Sequence, residues 1–467
     1  MRTYRLWLRG MAGLTAAILL VAPSFSKDEP GDELVQMVVN LLGEKDKDLR
    51  AVGLDQVRTA AKGAASTQKF AAQLPKLMPA AQAALLSALA DRGDAAARPA
   101  VLEILATSKD ESVRVAAIVA IGALGGSDDL PALIKPLADG STSEKGAARA
   151  SLEKLRGDSV PGTIATEMKK SPPPLRVALI EILTSRRALS TVPEIVPATV
   201  DDDSAVRVAA MSALGQMASP EHISGMLAGV LKATKGTERE AAEKAVALAC
   251  SRIEDANERA APVLAAWAKY NETDQLALLS TIGRVGGSKA LAVVEAAMAS
   301  DSTPRREAGL RALCNWPDAT IADKLLALAE KAEDDAHRAM TFQAFVRVGS
   351  LRDKRTDLER LERIKQAMAI VKSPEERTLV INRCRAAYVV ESLRYVLPYM
   401  EQPQFAQIAC ETIVELAHHR ELREPNKVEF DPALDKVMKI SKDAVVVDRA
   451  DRYKKGQTWA KPKPPGQ

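Results

Sequence analysis

Four histidines (His222, His337, His418, His419) and four cysteines (Cys250, Cys314, Cys384, Cys410) are the side chains best suited to metal binding or to nucleophilic and acid–base work. Their spacing argues against both. No histidine stands in a His-Glu-x-x-His pair and no Cys-x-x-Cys occurs. His418-His419 closes an apolar helical pattern, where an imidazole complements the helix dipole. Each cysteine falls inside an apolar helical stretch, where a free thiol behaves as a small core residue. Asp201-Asp202-Asp203 lacks the alternating ligands, glycine and distal glutamate of a calcium loop, and helix capping accounts for it. A Gly-x-Ser-x-Gly elbow, a phosphate-cradling loop and a dinucleotide fingerprint are all missing from the sequence. The expectation is a chain with no catalytic residue, no cofactor and no metal.

Two other distributions point to binding. Arg114, Arg176, Arg207, Arg239 and Arg306 recur at a regular interval, which suits either an anion-binding stripe or a structural ladder paired with the acids of neighbouring turns. The ladder is the expectation. Aromatic residues are sparse and skewed: residues 71–266 contain none. Protein interfaces concentrate their energy on Trp, Tyr and Arg. A protein-binding site is therefore expected in the second half, at Trp316, Tyr388, Arg394, Tyr395 and Tyr399. The competing reading is that the later, divergent segments use larger core residues.

The elements that would position these residues repeat. Ser112-Val113-Arg114-Val115-Ala116-Ala117 and Ala205-Val206-Arg207-Val208-Ala209-Ala210 are near copies, and Lys145 and Arg176 fall between them, so four anchors share one spacing of 31 residues. The register continues through Arg239, Gln275, Arg306, Arg338 and Arg377, with insertions expected near Asn271 and across Leu351 to Arg363. Each unit reads as two helices. The first opens near a proline (Pro99, Pro131, Pro193, Pro262), and a short acidic turn follows. The second helix carries apolar residues at i, i+3, i+4 and i+7, and often ends in glycine, as at Gly125-Gly126 and Gly286-Gly287, where a left-handed cap is expected.

The pattern Asp-x-x-Val-Arg-x-Ala-Ala-x-x-Ala-Leu-Gly resembles the HEAT repeat, in the short bacterial form called the phycobilisome-lyase HEAT-like repeat. The resemblance implies an all-α fold, an α-α superhelix (a HEAT-like solenoid) of about twelve helical hairpins. It also implies a scaffold that holds another protein on a concave face lined by the second helices. Bilin-lyase activity occurs among proteins with this repeat and is the enzymatic alternative.

The organisation expected is a signal peptide over 1–26, a solenoid over 27–425, capping helices over 426–453 and a disordered basic tail over 454–467. Arg2, Arg5 and Arg9 precede the short apolar run Met11 to Ala22, and Ser24-Phe25-Ser26 offers small residues for cleavage. This predicts export to the periplasm or cell exterior. An uncleaved, membrane-anchored structural component is the alternative. Removing 1–26 takes away three arginines and no acid, so the formal charge falls from +4 to nearly zero. A balanced chain has no footprint for a nucleic-acid backbone. In an oxidising compartment Cys384 and Cys410, in adjacent repeats, are the pair that could be bridged.

Overall fold

The computed structural model describes residues 30–459, and among these there is no strand. The expected segment 1–26 and the end of the tail, from residue 460, lie outside the described residues. Thirteen helical hairpins follow one another among the described residues, from Pro30–Gly43 paired with Lys47–Thr59 to Lys427–Ile440 paired with Ala444–Lys454. The fold is all-α and HEAT-like, as expected. The closing helices repeat the hairpin plan rather than departing from it. The tail begins where Lys454 ends the last helix, and Trp459 Nε1 donates to Asp448 Oδ2 (3.0 Å).

The described residues form two compact units, 30–160 and 161–459. In the first unit the second helices Lys47–Thr59, Pro79–Arg92, Glu111–Leu124 and Thr142–Lys154 pack in succession, over a core that includes Leu85, Leu89, Val113, Ile118 and Leu152. Gly122 permits the last of these contacts. A Cβ there would lie 2.6 Å from the side chain of Ser151, whose hydroxyl donates to Ile118 O at 3.0 Å.

In the second unit Pro173–Ser185, Ser204–Met217, Thr237–Cys250, Glu272–Val285, Thr303–Cys314 and Asp335–Gly349 pack in the same order. Two first helices are interrupted. Val192–Ile195 passes into a 3-10 turn at Val196–Val200, and Val390–Val396 into one at Leu397–Glu401. Pro197 and Pro398 supply no N–H to the helical ladder at these points.

Three sequence expectations change. The extra residues before Gln275 lie in the turns of 251–260, not near Asn271, which instead caps Glu272–Val285 through its side chain. In the charged segment Leu351 to Arg363, residues 351–356 are non-helical and the remainder opens the helix Asp357–Ala369. Gly286 and Gly287 are left-handed (φ 73° and 88°), but Gly125 and Gly126 are not (φ −89° and −146°). Glycine at 125 answers crowding: a Cβ would stand 2.5 Å from Asp129 Oδ2, a carboxylate that accepts from Gly126 N–H.

Candidate protein-binding groove

The anchor arginines hold each hairpin to its own turn and to the next hairpin. Arg114 donates to Ser108 O and, at 2.6 Å, to Glu144, which stands at the third position of the next second helix. Arg207 repeats the arrangement with Asp201 O, Asp202 O and a two-pronged contact to Glu238 (2.8 and 3.2 Å). Arg176 pairs with Asp201, and Arg338 with Glu376. These bonds hold the Glu144 and Glu238 carboxyls below the ordinary range, the arginine hydrogen bond being the largest cause. Arg239 and Arg306 break the pattern: among the described residues they bond only backbone carbonyls and a hydroxyl. The ladder was foreseeable. Its acids were not named, although Ser141-x-x-Glu144 and Ser373-x-x-Glu376 are capping-box spacings visible in the sequence. The trio Asp201-Asp202-Asp203 also acts structurally. Asp203 accepts from the N–H groups of Ala205 and Val206, Asp201 takes Arg176, and Asp202 is exposed.

Beside this ladder the second helices of the second unit line a groove of about 690 Å³. Helical spacing puts each contributor on one face. Thr273, Leu276, Ala277 and Ser280 come from one helix, Pro304, Ala308 and Arg311 from the next, and Met340, Gln343, Ala344 and Arg347 from the third. Lys235 and Arg239 complete one end. Small residues at mid-helix (Ala277, Ala308, Ala344) keep the floor low.

Along the floor a polar chain fixes the helices to one another. Glu243 accepts from Arg284 (2.8 Å) and Ser280 (3.0 Å), and Asn315 donates to Ser280 (3.2 Å). Arg347 is tied to the carbonyls of Cys314 (3.0 Å) and Trp316 (2.7 Å). Burial, and then the like charge of Arg284, depresses its pKa from the ordinary guanidinium value. Burial pushes the Cys314 thiol up to about 12, which leaves it a poor nucleophile.

The residues expected to bind a partner do not form one patch. Trp316 is only 1% exposed, and its indole donates to Thr320 Oγ1 (3.2 Å). Its role is to present the carbonyl that holds Arg347. Tyr395 and Tyr399 are half-buried and run edge-on into the buried Phe405 (6.2 Å at each step), with Lys365 over Tyr395 and Arg377 over Phe405. Burial, then the neighbouring Tyr399, raises the pKa of the Tyr395 hydroxyl. Arg394 is exposed and paired with Glu429 (2.6 and 2.7 Å). Tyr388 packs instead against His419 (3.8 Å) and beneath Arg352 (4.5 Å). Much of the aromatic skew is core, since Phe342, Phe345, Phe405, Phe430 and Tyr453 are all buried.

The remaining chemical candidates also resolve into structure. His418 Nδ1 meets the Tyr453 hydroxyl at 2.9 Å, and burial lowers the pKa of His419. Among the described residues no three of His, Cys, Asp and Glu converge as metal ligands, and no helix is long and apolar enough to cross a membrane. Cys250, Cys314, Cys384 and Cys410 are free thiols, so Cys384 and Cys410 are not bridged.

The family description "HEAT repeats" matches residues 67–153 and 163–247, the stretches that hold the four anchors spaced by 31, Arg114, Lys145, Arg176 and Arg207. These matched stretches take in Lys235 and Arg239 at one end of the groove, and the later hairpins keep the same plan with looser sequence. No curated protein matches the chain. Among solved structures, the chain is similar to karyopherin Kap121p bound to the extreme C-terminus of the protein phosphatase Cdc14p, at 10% identity and a TM-score of 0.45 over 89% of this chain and 54% of that one. It is also similar to Kap95p with RanGDP (12% identity, TM-score 0.42, 91% of this chain, 66% of that one). A homology model of the AP-3 complex matches at 13% identity and a TM-score of 0.37, over 92% and 88%. The chain spans about half the length of the Kap121p structures.

Proposed function

We propose that this HEAT-repeat chain is a non-catalytic scaffold, exported to the periplasm or cell exterior, that seats another protein in the groove of its second unit. The observation that carries the reading is the groove itself. Three successive second helices and the start of the one before them present an accessible face of small, polar and apolar residues, tied together by the bonds that join Glu243, Arg284, Ser280 and Asn315. A hollow lined by elements that are rigid against one another is suited to holding a ligand surface at little ordering cost. Export is supported by the charged and then apolar pattern of the first 26 residues.

The test is site-specific photocrosslinking in the native cell. A photoreactive amino acid replaces Gln343, exposed in the groove, or Lys324, exposed on the first helix Ala322–Lys331. A discrete protein adduct from position 343 and none from 324 is expected. Adducts equal at both positions, or none at 343, would remove the reading. Fractionation and N-terminal sequencing of the same material test export, which requires the loss of residues near 1–26.

A further inference from the structure

We infer that the groove takes an acidic segment of its partner in extended form, with apolar side chains between the carboxylates. The inference rests on the protein-binding reading above and specifies its chemistry. Lys235, Arg239, Arg311 and Arg347 line the groove and no carboxylate does, although 61 acids in 467 residues would put about two among any fifteen lining positions.

The positive charge is compensated at one point only among the described residues, by a loose contact of Arg311. Lys235 is exposed and has no ion-pair partner among the described residues. Arg239 and Arg347 spend their hydrogen bonds on neutral carbonyls. Arg311 meets Glu307 at 3.6 Å, a loose contact one turn back on its own helix. The buried carboxylate bonded to the lining Ser280, Glu243, is already shared with Arg284. Cations set along a low-dielectric hollow focus their field outward, toward an anionic ligand.

Geometry selects a chain over a small anion. An inorganic anion needs donors that converge on one point, but these cations are spread across the groove: Lys235 and Arg239 at the start of Thr237–Cys250, Arg311 on Thr303–Cys314 and Arg347 on Asp335–Gly349, with the uncharged face of Glu272–Val285 between. Helices pack at about 8–10 Å, so three steps span roughly 24–30 Å. An extended segment covers that distance in about eight residues at ~3.3 Å each. Its alternate side chains would point down toward Leu276, Ala308 and Met340. Met340 is a side chain that adapts to whatever apolar group arrives.

Fluorescence anisotropy on the full chain tests this with a labelled ten-residue peptide of six glutamates and four leucines, and with its glutamine counterpart. The K235E/R311E variant reverses two exposed groove cations. K169E/K170E makes the same change in net charge on an exposed stretch elsewhere. The glutamate peptide should bind at least tenfold more tightly than the glutamine peptide and weaken as salt rises. K235E/R311E should cost at least tenfold, and K169E/K170E less than twofold. Several results would overturn the inference: equal binding of the two peptides, equal loss in both variants, or no binding up to ~1 mM. So would displacement by a ten-nucleotide single strand or by tripolyphosphate at lower concentration than by the unlabelled peptide, which would assign the groove to those anions. The crosslink from position 343 is read separately. If it persists while the two peptides bind alike, the acidic chemistry fails and the scaffold reading stands.

Discussion

Removing the Glu376 carboxylate should loosen one hairpin contact far more than its single ion pair suggests. Arg338 and Glu376 are 6% and 9% exposed, and they join the helices Asp335–Gly349 and Pro374–Arg383. Glu376 also accepts from the Lys372 N–H at 2.7 Å. Glu376→Ala leaves a buried guanidinium without its counter-charge, which costs about 3–5 kcal/mol. Replacing both partners with apolar side chains of similar volume (R338M/E376L) removes the unpaired charge. It should then cost only the orphaned Lys372 N–H, about 1 kcal/mol. Repeat arrays seldom unfold in one step, so a global melt would blur the effect. Hydrogen exchange resolved by segment is the suitable assay. At ~1.4 kcal/mol per tenfold, E376A should speed exchange in 335–349 and 374–383 by roughly two to three and a half orders of magnitude, and R338M/E376L by about one. Exchange in Glu111–Leu124, in the other unit, should not change. A change below tenfold in E376A, or a double variant as damaged as the single, would refute the reasoning. The exposed pair Arg394–Glu429 supplies the contrast, and its removal should leave exchange nearly unchanged.

Further outcomes follow from other positions. Gly283→Ala would drive a Cβ into the Ala312 carbonyl and should destabilise its segment by about 1–3 kcal/mol. Gly146→Ala, in the helix Thr142–Lys154 with nothing within 4 Å, should instead stabilise by about 0.5–1 kcal/mol; a reversal of these signs in segment-resolved exchange would contradict the packing. Burial raises the thiols of Cys250, Cys314 and Cys384 to about 12 and that of Cys410 to about 11, so native protein at pH 8 should resist thiol reagents and all four should react once it is unfolded. Rapid reaction of the native chain, or a mobility shift on reduction, would count against this. Burial, helped by His418 and Arg352, lowers the pKa of His419, so the unfolded chain binds its proton first. Protection around 406–423 should therefore be full above about pH 6.5, the ordinary imidazole value, and fall as pH drops below it. His419→Gln should flatten that dependence, and an unchanged slope would assign it to another group.

The hairpin plan was legible in the sequence because its causes are local. Prolines at helix starts, acids such as Asp110 and Asp203 at caps, and the spacing of Arg114, Lys145, Arg176 and Arg207 each act within one hairpin or between nearest neighbours. Such contacts recur at a fixed interval, and a fixed interval can be read in one dimension. Even so, composition misled where burial decides. Trp316 has the residue type of a contact hot spot, yet its ring is core and its carbonyl is what matters to the groove. Glycine identity likewise did not separate the left-handed turn at Gly286 from the crowded, extended one at Gly125.

The groove was not legible because its charge belongs to no single segment. Lys235, Arg239, Arg311 and Arg347 are ordinary surface cations when each helix is read alone, and in sequence they lie among acids such as Glu238 and Glu307. Local periodicity determined that each helix has a face. Only the stacking of one hairpin on the next decided which faces adjoin. Stacking turned Glu238 toward Arg207, Glu243 toward Arg284 and Glu307 toward His337, and left the cations to share one hollow.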